Sequence, residues 1–147
     1  MKAGNPPASG FFWPVPAARV EIPVPPDLDH RGRPFFMDLT GSWHLVEWTF
    51  GDEHPLGADA VGRIVYSPDG FMAAFLARAD GFSDALAYSG AWELLGGDEV
   101  VHHVSVSTRG AFVGRDLVRA VSWEGNDLLV LTTPPPVNVL RWRRAAG

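Results

Sequence analysis

The sequence predicts an all-β, antiparallel fold, either a sandwich or an up-and-down barrel, on three observations. Apolar and polar residues alternate with period two along eight short runs. The runs are joined by short stretches of turn residues, such as SPDG, GGD and EGND, which is the pattern of hairpins. No stretch asks for more than a single helical turn. Eight strands can close into a barrel just wide enough for one small ligand, and closure removes the edges that such apolar strands could not safely expose.

The elements follow in order. Residues 41–50 (GSWHLVEWTF) form the first strand, with Trp43 and Leu45 on one face and Val46, Trp48 and Phe50 on the other. A bulge near Leu45 and Val46 would turn both sets inward and leave Glu47 facing solvent; without it Glu47 faces the core. The loop GDEHPLGADA leads to strands at residues 62–67 and 71–77, which flank the tight turn Ser67-Pro68-Asp69-Gly70. Residues 78–84 are a polar break, with one helical turn expected at 83–87. The strand at 87–95 then carries Tyr88, Gly90, Trp92 and Leu94 on one face.

Residues 99–107 hold the most regular alternation in the chain. Val100, His102, Val104 and Val106 share a nearly aliphatic face that should point inward and take His102 with it. Strands at 115–123, 128–133 and 137–144 complete the set, and the first of these places Leu117, Arg119, Val121 and Trp123 on one face.

Residues 1–37 differ. Eight of the thirteen prolines fall there, which excludes a helix and disfavours an inner strand. Yet Phe11, Phe12, Trp13, Phe35, Phe36 and Met37 are too apolar for a solvated linker. The expectation is an extended arm lying on the domain (residues 38–147) or on a second subunit, an arrangement that allows a homodimer.

Composition narrows the function. With 147 residues there is room for one domain with a real core. The absence of cysteine excludes disulfides, thiol nucleophiles and thiolate metal sites. A net charge of −5 from scattered acids, with no basic run, argues against nucleic acid as a partner. The opening MKAGNPPASG lacks a long apolar run, and no segment reaches the length of a membrane span, so a cytoplasmic protein without membrane association is expected.

The succession LTGSWHLVEW, PLGADAVGRIVYSPDGFMAA, AYSGAWEL, VVHHVSVS, VGRDLVRAV, DLLVLTT and RWRR resembles the bacterial and fungal lipocalin-like domain family, from about Leu39 to Arg144. The resemblance implies an eight-stranded lipocalin-like barrel with an internal cavity for a small apolar ligand. It further implies that Trp43 of the Gly-x-Trp opening plugs the closed end, with Arg143 or Arg144 from the last strand packed over it. Some relatives act in natural-product pathways, where such barrels guide cyclisation or isomerisation.

Few polar residues would face such a cavity: His102, Arg119, Tyr88 and Tyr66. Buried histidines commonly just bond a neighbour, and a buried Arg is commonly tied to carbonyls or a carboxylate. In the functional alternative Arg119 holds a ligand oxyanion, His102 moves a proton and Tyr88 donates to the developing charge. Trp48, Trp92, Trp123, Trp142 and Met72 are the candidate ligand walls, though aromatic residues at such positions are as readily simple core.

No metal site is expected. His102 and His103 are adjacent on a strand and point to opposite faces, and His30, His44 and His54 follow no ligand spacing. No nucleotide or phosphate motif appears, so no cofactor is implied. The function expected is a cofactor-free enzyme acting on a polyketide or terpenoid intermediate by cyclisation, isomerisation or proton transfer. The alternatives are a non-catalytic carrier of a hydrophobic small molecule and an interaction module whose barrel is filled by its own side chains.

Overall fold

The structure, a computed structural model, describes residues 38–145. The Pro-rich arm over residues 1–37, and the homodimer expectation built on it, lie outside the described residues. Eight antiparallel strands run in chain order: β1 (Gly41–Thr49), β2 (Val61–Tyr66), β3 (Phe71–Arg78), β4 (Gly81–Leu95), β5 (Glu99–Ser107), β6 (Asp116–Glu124), β7 (Leu128–Thr132) and β8 (Val139–Arg144). Each pairs with the next, and β8 returns to pair with β1, so the sheet is a closed barrel. Closure leaves no unpaired edge, as the up-and-down alternative required.

Inward residues come from the predicted alternation. Ile64 and Tyr66, Met72, Ala74 and Leu76, Val100, His102 and Val104, and Leu129 and Leu131 are all buried. The bulge expected in β1 is present: Leu45 pairs with Trp142 and Glu47 with Arg141, so Val46 is the extra residue. Trp43 and Trp48 thereby both pack on the core, whereas Val46, the bulged residue, and Phe50, both expected inward with Trp48, are exposed. Glu47 lies on the outer side, against Arg141 at 3.6 Å and His54 at 3.2 Å.

Two further local expectations are corrected. No helical turn forms at residues 83–87, because β4 begins at Gly81 and runs on past it. A tight hairpin sets Arg78 opposite Gly81, the register shifts across residues 82–85, and the ladder resumes with Leu76 opposite Leu86. Pairing on both sides of that shift holds the segment extended, and Asp84 within it has a φ of 63°, outside the right-handed helical region. The strand also places Phe82 outside the barrel, edge-on to Phe75 with ring centroids 6.0 Å apart.

The second correction is Val106, which is 64% exposed rather than inward. Gly90 pairs with Val104 but Ser89 pairs with Val106, so Ser105 is bulged and the phase of β5 flips beyond it. Gly90 permits this: a Cβ there would stand 1.8 Å from the carbonyl oxygen of His103. The missing side chain lets the bulged backbone approach closely.

One end of the barrel is plugged. Trp43 is fully buried, its Nε1–H donates to the Leu39 carbonyl at 2.9 Å, and its ring meets that of Trp123 at 5.8 Å. Of the two terminal arginines it is Arg144 that covers Trp43, with its guanidinium carbon 4.2 Å from the ring centroid. Arg144 also donates to the carbonyls of Thr40 and Asp38. Arg143 faces outward to Asp127.

Candidate functional site

Antiparallel order decides which residues meet at each end. The starts of odd strands and the ends of even strands gather at the Trp43 plug, and the opposite termini gather at the other end. Between plug and opposite end lies a cavity of about 510 Å³, within the range of small-molecule sites. Its walls include Trp48, Leu56, Ile64, Leu86, Leu131 and Trp142. The rim comes from connecting segments, with Pro55 after β1, Arg109 and Phe112 after β5, and Pro136 before β8.

His102 is 1% exposed and bonded at both ring nitrogens. The Tyr66 oxygen lies 2.7 Å from Nε2, and the Tyr88 oxygen 2.8 Å from Nδ1. Burial, then the charge of Arg119, then His103, lower its pKa to about 3, so the ring is neutral at physiological pH. A neutral imidazole has one N–H and one lone pair, which fixes the direction of the chain of bonds. Tyr66 is fully buried, does not line the cavity and has His102 as its hydrogen-bond partner. Its O–H must therefore go to Nε2, because a buried donor left unmade is costly. Nδ1 then carries the proton and donates to the Tyr88 oxygen, and the O–H of Tyr88 is left free to donate elsewhere. Tyr88 lines the cavity.

Arg119 stands beside this chain. It pairs across the β5–β6 ladder with Val100, one inward position from His102, and both residues line the cavity. Burial raises the pKa of Tyr88, while the charge and the hydrogen-bonding of Arg119 pull it back. Burial also raises Tyr66 well above its ordinary value, reinforced by Tyr88 and opposed by Arg119. The guanidinium donates to the carbonyl of its own neighbour Val118 at 3.1 Å, and among the described residues no carboxylate pairs with it.

The structure thus gathers His102, Arg119, Tyr88, Trp48 and Trp142 around one space. Tyr66, Met72, Trp92 and Trp123 do not line it. They lie toward the plug, where Tyr66 packs on Trp92 with centroids 4.9 Å apart and Trp92 donates to the Ser67 carbonyl. His103 faces the outside between Glu93 at 2.9 Å and Asp116 at 2.7 Å. Burial alone would lower its pKa, but the bonds to Asp116 and Glu93 prevail and raise it.

Sequence reasoning missed several lining residues, among them Arg109, Phe112 and Asn138. The first two sit in the β5–β6 connection, partly in a single 3-10 turn at Gly110–Phe112, where no periodicity exists to show direction. Asn138 precedes β8 and accepts the Trp48 indole N–H at 2.9 Å.

Comparison with known proteins agrees with the resemblance drawn from the sequence. Residues 40–81, which span β1 to β3 and the start of β4, match the family described as the lipocalin-like domain. No curated protein matches the chain. Among solved structures, the crystal structure of an uncharacterized protein from Bacteroides eggerthii DSM 20697 aligns at a TM-score of 0.48 and 14% identity, covering 74% of this chain and 100% of that one. Among the described residues, no helix is long and apolar enough to cross a membrane.

Proposed function

We propose that this protein binds a small, largely apolar molecule inside its barrel. The observation that carries the reading is the cavity itself, about 510 Å³ with largely apolar walls, where Arg119, Tyr88 and His102 converge and further polar residues stand at the rim. Concave apolar space with a few convergent polar groups is the usual form of a ligand site. Such a cavity speaks against an interaction module whose barrel is filled by its own side chains. Of the two readings left, a carrier that shields its ligand from water asks only for what this cavity supplies.

Cofactor-free cyclisation, isomerisation or proton transfer on a polyketide or terpenoid is the second reading, and one observation favours it. The Tyr88 hydroxyl bonds the neutral His102 and feels the charge of Arg119, so it could donate to an oxygen gaining negative charge while Arg119 stabilises that charge. In this reading His102 is a positioning residue, since both ring nitrogens are engaged by tyrosines. A bound molecule recovered with its skeleton changed would favour catalysis, and one recovered unchanged the carrier.

Binding is tested with a neutral apolar dye. N-phenyl-1-naphthylamine should gain fluorescence on titration into the protein, saturate at about one dye per barrel, and quench the indole emission of Trp48 and Trp142, which line the cavity. A linear, unsaturable response with no indole quenching overturns the reading.

A further inference from the structure

The polar groups of the cavity wall are unevenly satisfied. Its acceptors are in use. Asn138 Oδ1 takes the Trp48 indole N–H, and the Pro136 carbonyl takes both the Thr133 hydroxyl and the Asn138 amide. The one lone pair of the neutral His102 ring receives the Tyr66 hydroxyl. Apart from the solvent-exposed Arg109 at the rim, three donors of the wall have no matching acceptor among the described residues. The Tyr88 O–H is left over by the direction of the His102 chain. The Arg119 guanidinium has five N–H groups, and a backbone carbonyl is its only described acceptor besides Tyr88. The indole N–H of Trp142, in a residue 1% exposed, has no partner among the described residues. The carboxylate that borders the same space, Asp84, is turned to Arg78 and is 69% exposed.

We infer that the ligand carries a carboxylate or another oxygen-centred anion, and that this head is bound by Arg119 and Tyr88 while its apolar body lies against Trp48, Leu86 and Leu140. A half-buried guanidinium with no carboxylate beside it among the described residues is costly, and a ligand carboxylate supplies the countercharge and further acceptors for Arg119 and Tyr88. A ligand rich in donors would find a carboxylate only at the exposed Asp84, which is turned to Arg78. The inference rests on the binding reading above, and it adds the chemical class of the ligand.

The test displaces N-phenyl-1-naphthylamine from the protein at pH 7 with dodecanoate, dodecan-1-ol and methyl dodecanoate, which share one apolar chain. Dodecanoate should displace the dye at a concentration at least about tenfold below that of the alcohol or the ester, as expected for charge-assisted bonds. The gap should close in Arg119→Gln and narrow in Tyr88→Phe. Should Arg119→Gln fail to fold, the wild-type series and Tyr88→Phe carry the test alone. If the dye binds but acid and alcohol displace it equally, the inference falls and the binding reading stands. If the gap is undiminished in Arg119→Gln, the head is held elsewhere and the assignment falls. If the dye does not bind at all, the binding reading falls and takes the inference with it.

Discussion

Replacing Trp43 by alanine should lower the stability of the barrel by about 3–5 kcal/mol, the range for truncating a buried Trp or Phe. Trp43 is fully buried and holds four things together. Its indole N–H satisfies the Leu39 carbonyl, its ring packs against Trp123, its face carries Arg144, and its backbone pairs β1 with both β2 and β8. Alanine keeps the last of these and loses the rest. Arg144, left without the ring beneath it, would still bond Thr40 and Asp38. The loss should appear in urea unfolding as a lower midpoint at unchanged slope. A change under about 1 kcal/mol, the size of an ordinary surface substitution or a little more, would mean that Trp43 does not close the barrel.

The second large effect is a loss of stability in mild acid that depends on His102. In the folded barrel its pKa is about 3, whereas an unfolded histidine takes its proton near 6.5. Below pH 6.5 the unfolded chain therefore binds one more proton than the folded one. The stability due to this residue is complete above pH 6.5 and is lost as the pH falls toward 3. The slope approaches about 1.4 kcal/mol per pH unit once the unfolded histidine is fully protonated, which makes the loss between pH 6.5 and 4.5 about 2.3 kcal/mol. His102→Gln can bond both tyrosines in part but never takes the proton. Its stability should change less over that interval, by about the same amount. Parallel curves for the two proteins would show that His102 is protonated without unfolding, and hence that it is not sealed between Tyr66 and Tyr88.

Much of the fold was legible because strand alternation is a direct imprint of a two-sided sheet. Val100, His102 and Val104 were placed inward from their spacing alone, and the conflict of phase between Trp43 and Trp48 located the β1 bulge. What escaped was governed by contacts between strands. The reversal that exposes Val106 depends on how close the His103 carbonyl comes to Gly90, and no property of β5 alone announces it. The length of β4 depends on the hairpin that sets Gly81 against Arg78 of β3.

The site was legible in the same uneven way. Arg119 and His102 could be paired from the face they share and the short connection between their strands. The tyrosines holding both nitrogens of His102 could not, since Tyr66 lies three strands from β5 along the sheet. Tyr66, Met72, Trp92 and Trp123 were grouped with Trp48 and Trp142 because all point inward. Inward direction alone does not say which of them face the cavity: Trp142, two residues from the end of β8, lines it, whereas Trp92, three from the end of β4, does not.

The central claim is that a small molecule sits inside the barrel with its polar end on Arg119 and Tyr88. A crystal structure of the protein with dodecanoate tests it most directly. The account predicts the alkyl chain between Trp48, Leu86 and Leu140, and the carboxylate within hydrogen-bond distance of the Arg119 guanidinium and the Tyr88 hydroxyl. Dodecanoate seated instead in the outer groove between Arg63, Phe75 and Val106, with the barrel interior empty, would contradict it.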